Sequence, residues 1–319
     1  LRPRTVLFAA VCLLSTLGLL ALRPERRADG VAERPMPLVS GRTTVEGDAP
    51  EVGAARPDAV LRSASGRVVP GTRPANAVPS RRRDFEMADD LFEYSQQLVP
   101  ALREGDPEAA WLMSRVVDYC AAYAADPAAF ARDSATLAGR DLWAAEAMNA
   151  ARARVDARCR RFTPADGLSQ VRVHQLRLEA ARGGSLAAEA ELLARGEPVS
   201  AEGDYGNALL DRIDSAGDVE AFSALAPAVE VPDWLSMLDQ DVAPQYHAIV
   251  WQLAACRMGL DCSAQSTLMT SYCVNGGICS RSSGQGFEEF VYDAAISRQS
   301  ADPVRDAVAA LVERFGGAP

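Results

Sequence analysis

The chain has 319 residues, 48% of them hydrophobic and 6% aromatic, with 33 basic residues, all Arg, against 43 acidic ones, for a net charge of −10. That length holds one or two domains with a sizeable core. The acid excess lies beyond residue 83, where 36 acids face 19 Arg, a field that repels phosphate backbones and excludes nucleic-acid binding.

Arg2 and Arg4 precede Thr5 to Leu22, an uncharged, largely apolar run of 18 residues. Spanning a bilayer core takes roughly 17 to 25 apolar residues, so the run reads as a membrane anchor. Arg23, Arg26 and Arg27 follow, where a cleavage site needs small residues, and Ala28-Asp29-Gly30 is the one tolerable site nearby. The expected location is the inner membrane, single-pass, with the body in the periplasm; the alternative is a periplasmic or secreted protein after signal cleavage. Cys12 lies within the apolar run behind Val11, a poor setting for lipid attachment.

Residues 23–83 are rich in Pro, Gly, Ala, Val and Arg, lack a sustained apolar period, and carry twelve Arg against seven acids. They read as a disordered linker, whose basic charge suits anionic lipid headgroups or the chain's own acidic body.

Order is expected from Asp84, as a helix N-cap, through residue 319, and the pattern is all-α. The helix after Asp106-Pro107 puts Ala109, Leu112, Met113, Val116, Cys120 and Tyr123 on one face. Between Asp141 and Phe162, residues Met148, Ala151, Val155, Cys159 and Phe162 do the same, so both cysteines fall on buried stripes. Arg154, Arg158 and Arg161 share another face, read as solvated, with an anion site as the alternative. A further helix is expected from Thr163-Pro164-Ala165-Asp166 towards Gly183-Gly184. Shorter ones follow at 185–195, 204–215, 218–226, 233–240, 244–258, 263–274, 285–298 and 302–315, joined by connections short enough to make antiparallel pairs.

Three helix starts share the form G-[DS]-x-x-A: Gly105-Asp106-Pro107-Glu108-Ala109, Gly184-Ser185-Leu186-Ala187-Ala188 and Gly217-Asp218-Val219-Glu220-Ala221. Gly ends one helix, Asp or Ser caps the next, and the small Ala permits close packing. From Gly184 to Gly217 is 33 residues, the length of one helix-turn-helix unit in stacked repeats. The stretch Ala180 to Ala188, with Leu192 to Gly196, Asp204-Tyr205 and Ala208 to Leu210, resembles a Sel-like repeat, a relative of the tetratricopeptide repeats. That resemblance implies an irregular helix-hairpin solenoid that serves as a binding scaffold. It covers about one full repeat and two fragments; a Leu-Gly-x-x-Tyr segment is missing, and the interval from Gly105 to Gly184 is not one repeat. The doubled cysteine segment and exported N-terminus are also similar to bacterial envelope proteins of no assigned activity.

That segment spells C-x2-G-x2-C twice, as Cys256-Arg257-Met258-Gly259-Leu260-Asp261-Cys262 and Cys273-Val274-Asn275-Gly276-Gly277-Ile278-Cys279. In each, the first Cys ends a helical pattern, the Gly is expected in the left-handed conformation that stops a helix, and the second Cys lies just past the turn. Local bridges Cys256–Cys262 and Cys273–Cys279 follow, with crossed pairing as the alternative. Cys120 and Cys159 read as a third bridge or as two buried thiols. Zinc is the rival for the C-terminal four, but five residues separate each pair where two to four are usual.

No sequence motif points to a catalytic residue or a cofactor. His174 and His247 stand in helical patterns without a motif, and Trp111, Trp143, Trp234 and Trp251 are scattered and read as core or groove residues. Glu288 and Glu289, behind Gly284-Gln285-Gly286, are the acids a cell-wall hydrolase could use, though acids at a helix start are explained by the helix dipole. The expected function is a non-catalytic protein-interaction scaffold or adaptor in the envelope, its protein partner unidentified and its membrane contact through residues 5–22. The alternatives are a cell-wall hydrolase and a structural spacer.

Overall fold

The computed structural model describes residues 77–140, 143–228 and 241–316, in which thirteen α-helices occur and no strand. The expected anchor at 5–22, the linker up to residue 76 and the helix at 233–240 with Trp234 lie outside the described residues. Among those described, no helix is long and apolar enough to cross a membrane.

Short polar side chains decide where most helices begin. Asp90 caps α2 (Leu91–Arg103), Asp106 caps α3 (Pro107–Ala125) and Asp126 caps α4 (Pro127–Ala138), each accepting from backbone N–H groups of the first turn. Ser169 caps α6 (Gln170–Arg182), Ser185 caps α7 (Leu186–Ala194), Asp218 caps α9 (Val219–Ala224) and Ser266 caps α11 (Thr267–Val274) in the same way. Each such cap satisfies a donor that the helix itself cannot, and contributes about 1 kcal/mol. The others are α5 (Ala145–Cys159), α8 (Tyr205–Ala216), α10 (His247–Arg257), α12 (Phe287–Phe290) and α13 (Ala301–Phe315).

Three boundaries differ from the sequence reading. Asp84 is not a cap: α1 runs Ala77–Met87 and contains it, because the Arg residues before it have partners in the body. At Thr163 the chain makes a 3₁₀ turn, closed by the Thr163 N–H and hydroxyl donating to Asp166 and ended by Gly167 at φ 65, so α6 starts only at Gln170. The segment 285–298 is no single helix; α12 widens into a π-turn over Val291–Ala295.

The helices pack largely in chain order: α2 on α3, α6 on α7, α7 on α9, α9 on α10 and α10 on α13, with the largest interface between α3 and α6. α4 and α5 stand outside that succession. They occupy the interval between Gly105 and Gly184, and α5 packs sideways on α3 and on α11. Leu112, Val116, Leu176, Leu192, Leu209 and Leu253 are buried along the succession, each contributing about 1.5–3 kcal/mol. Near its end Trp251 stacks on Phe222, with ring centroids 4.4 Å apart.

Three disulfides cross this framework. Cys120 in α3 bonds Cys159 at the end of α5, with Cα atoms 5.5 Å apart and both residues fully buried. Cys256 bonds Cys262 and Cys273 bonds Cys279, each closing a local turn. The two turns are built differently. Gly259 takes the left-handed conformation at φ 113, but in the second turn Gly277 takes it, at φ 67. Gly276 is needed for closeness instead, since a Cβ there would lie 2.8 Å from the Tyr272 carbonyl oxygen.

The chain-entropy account of cross-links makes the long bridge worth more than either short one. Replacing both Cys120 and Cys159 by Ala is expected to cost about 4 kcal/mol of unfolding free energy, against about 2 kcal/mol for Cys256 with Cys262 or for Cys273 with Cys279. Guanidinium unfolding of the three double variants checks the order.

Candidate functional site

The helix-start motif found in the sequence does more than cap. Arg82 of α1 reaches across two copies of it at once: Nε lies 2.6 Å from Glu108 and 3.1 Å from Glu220, and Nη2 lies 3.1 Å from Asp218. Its neighbour Arg81 pairs with Asp106 at 2.9 Å. Three of the four acids in the two Asp-x-Glu segments thus surround one guanidinium, and the fourth, Asp106, holds its neighbour Arg81. The third copy has Ser185 and Ala187 at those positions, and its nearest acid, Glu189, pairs with Tyr205 and Arg212 instead. Glu in two of three copies was the signal available in the sequence for this cluster; Arg82, placed in the linker, gave none.

Glu220 passes the network on. It accepts from Trp111 Nε1 at 3.0 Å and from Arg115 at 2.6 Å, and Arg115 in turn donates to Glu86 at 3.0 Å and to Thr267 Oγ1 at 2.8 Å. Glu86 also receives the Thr267 backbone N–H at 3.0 Å. Burial works against the Arg82 cation, yet Glu108, Glu220 and Asp218 outweigh it and hold the guanidinium above its already high ordinary value. Burial likewise opposes the Arg115 cation, and Glu220 and Glu86 reverse it. Glu108 goes the other way: burial pushes it above the usual carboxylate range against the pull of Arg82, and Glu220 and Asp218 push with it.

Phe85 is the apolar anchor of α1, 1% exposed, with the Arg115 guanidinium carbon 4.4 Å and that of Arg158 5.5 Å from its ring centroid. Arg158 donates to the backbone carbonyls of Phe85, Glu86 and Ala88, the otherwise unsatisfied acceptors at the end of α1. The solvated-face reading of the α5 arginines therefore fails at Arg158, which is buried. It fails in part at Arg154, which donates to Thr270 and to the Ala264 carbonyl. Arg161 alone stays exposed, paired with Asp90.

Under α1 lies a cavity of about 230 Å³. Its walls come from α1, from Trp111, Arg115, Asp118 and Tyr119 on successive turns of α3, and from Arg177 of α6; Glu191, Glu220, Asp261 and α11 complete it. Arg177 is 5% exposed and donates to Asp118 at 2.9 Å and to Glu191 at 3.2 Å. Five carboxylates and two guanidiniums line this space.

No protein-family model, curated protein or solved structure matches the chain.

The residues singled out from the sequence lie elsewhere. His174 is 3.4 Å from Glu197 at the surface, and His247 is buried with Nε2 3.2 Å from the Val242 carbonyl oxygen. Glu288 is held by Arg257 at 2.7 Å and Glu289 is exposed; neither borders the cavity. Trp111 and Trp251 are core, but Trp143, read as core or groove, is 68% exposed with Arg281 over its ring. The six cysteines are spent in bridges.

Removing Arg82 leaves the buried Glu108 and Glu220 and the half-buried Asp218 without their shared cation. Arg82→Ala is expected to cost about 3–5 kcal/mol, whereas Glu108→Gln, which relieves repulsion with Glu220 and Asp218, should cost less than half of that; urea unfolding compares them. Asp106 has a second, acid-side effect. Burial raises it, but Arg81 and the Ala109 and Glu108 N–H groups lower it further, so its pKa sits below the ordinary 3.8. A depressed carboxylate stabilises above its unfolded pKa, and that stability is lost as pH falls through the folded value. Melting temperature should therefore fall as pH is lowered below about 4, and Asp106→Asn should lessen the fall.

Proposed function

We propose that this chain is a non-catalytic protein-interaction scaffold or adaptor of the bacterial cell envelope, anchored in the inner membrane through residues 5–22 with its helical body in the periplasm. The observation that carries the reading is the docking of α1. The cleft between α3, α9 and α11 takes a helical segment through a guanidinium fork, one buried aromatic ring and one carboxylate. Those are the anchors by which helical scaffolds hold peptide segments. The Sel-like resemblance of 180–218 supports the same reading, and three disulfides suit an oxidising compartment. Trp143, Val171 and Ile278 are large apolar side chains left exposed on the body, available to a partner.

Photo-crosslinking groups at those three positions of the full chain, used in native membranes, should trap a specific partner protein. The scaffold reading fails if no specific adduct forms while the purified full chain hydrolyses cell-wall material or peptide and Glu288→Gln abolishes that turnover.

A further inference from the structure

α1 is seated on the body unlike the helices beneath it. Those meet through buried Leu and Val side chains, whereas α1, over residues 81–87, puts one buried side chain, Phe85, into the contact; Arg81, Arg82 and Glu86 are half-buried and Arg83, Asp84 and Met87 exposed. The Phe85 ring itself meets two guanidiniums, those of Arg115 and Arg158, and the Tyr94 ring at a centroid distance of 5.9 Å. The surface under α1 therefore consists mainly of charged groups, which water solvates once they are uncovered. The cavity of about 230 Å³, walled in part by Phe85 and Glu86, leaves the seat incompletely filled. Local opening of such an element takes less free energy than unfolding of the apolar core.

What holds α1 is a three-point pattern on one helix face. Arg82 engages Glu108, Asp218 and Glu220. Phe85, three residues on, meets Arg115 and Arg158. Glu86, four residues on, accepts from the Thr267 N–H at 3.0 Å, from the Thr267 hydroxyl at 2.7 Å and from Arg115 at 3.0 Å. The i, i+3, i+4 spacing is that of anchors on a helix lying in a groove. Each contact is an ion pair, a charge-assisted hydrogen bond or a cation–π contact, so the seat specifies residue types as well as shape. Ala88, Asp89 and Asp90 join α1 to α2, and none of the three anchors depends on that connection.

We propose that α1 is the resident occupant of a partner site: the cleft it covers binds a helical segment of a partner protein with Arg, an aromatic residue three positions later and Glu four positions later, and α1 leaves as that segment enters. On the scaffold reading, from which this follows, the cleft is where the scaffold takes its partner and these three residue types are what it recognises. Partner and α1 compete for the same carboxylates and guanidiniums, so partner affinity is reduced by the fraction of time the cleft is covered. α1 thereby sets a threshold that a segment lacking any one anchor does not pass.

Hydrogen exchange of the full chain checks the opening. Amides of α1 should exchange roughly tenfold or more faster than those of α3, and faster again at about 0.5 M salt, where charge screening shortens to a few ångströms. A fluorescent peptide of residues 77–90, added to the full chain, checks the exchange of occupants. It should bind saturably, and roughly tenfold or more tightly to the Phe85→Ala chain than to the parent, since that variant loosens α1 and leaves the cleft intact. Arg81→Ala, at a half-exposed ion pair, is a milder variant with the same expected direction. Peptides carrying Arg82→Ala, Phe85→Ala or Glu86→Gln should each bind roughly tenfold or more weakly. The proposal is overturned if α1 amides are as protected as those of α3, if the peptide binds neither variant, or if the altered peptides bind as the unaltered one does. Concentration-dependent dimers of the parent, lost on Phe85→Ala, would give the cleft to the α1 of a second copy and overturn it too. Specific adducts at Trp143, Val171 or Ile278 without peptide binding leave the scaffold reading standing and overturn this proposal alone.

Discussion

The half-buried guanidinium of Arg82, held by three carboxylates, is the interaction on which the joining of α1 to the body depends. A charge taken out of water is tolerable only with partners around it. Here Glu108, Asp218 and Glu220 supply them from the first turns of two helices far apart in sequence. Asp218 also caps its own helix, so one side chain both starts α9 and ties it to α1. Through Glu220 the chain of contacts continues to Arg115, Glu86 and Thr267. It thus links α1, α3, α9 and α11 in one polar network, where a purely apolar seam would leave their register less defined.

The same network shapes the space beneath it. Helices packed only through Ala and Leu would close on one another; the Arg and Glu side chains between α3, α6, α9 and α11 hold them apart with a polar, mixed-charge lining. Arg115 and Arg177 are each fixed by two carboxylates, which restricts their rotamers and gives the lining a definite arrangement of donors and acceptors.

Covalent and ionic ties divide the work by distance. The Cys120–Cys159 bridge fastens α5 to α3, and Arg158, one residue before Cys159, closes the end of α1 with its carbonyl contacts. The short bridges act on turns: Cys256–Cys262 fixes the exit of α10, and Cys273–Cys279 that of α11. Phe287 donates its N–H to the Cys262 carbonyl, so the first of these turns also positions α12.

The sequence by itself determined the helical class, most helix starts and the local cysteine turns. Those features depend on residues within one or two turns of each other: a cap and its N–H, a Gly and its left-handed φ, two cysteines across one corner. The stripe from Ala109 to Tyr123 was legible for the same reason, since its period is set by the helix alone. Only the tertiary structure decided that Arg82 belongs to the body, that Arg158 is buried while Trp143 is exposed, and that Gly277 instead of Gly276 turns the second cysteine loop. A charged side chain is buried or solvated according to which carboxylates or carbonyls meet it from elsewhere in the chain. Two partners of Arg82, Glu108 and Asp218, lie 26 and 136 residues away, beyond the reach of any local pattern, and the cavity that its third partner, Glu220, helps to wall exists only where helices distant in sequence converge.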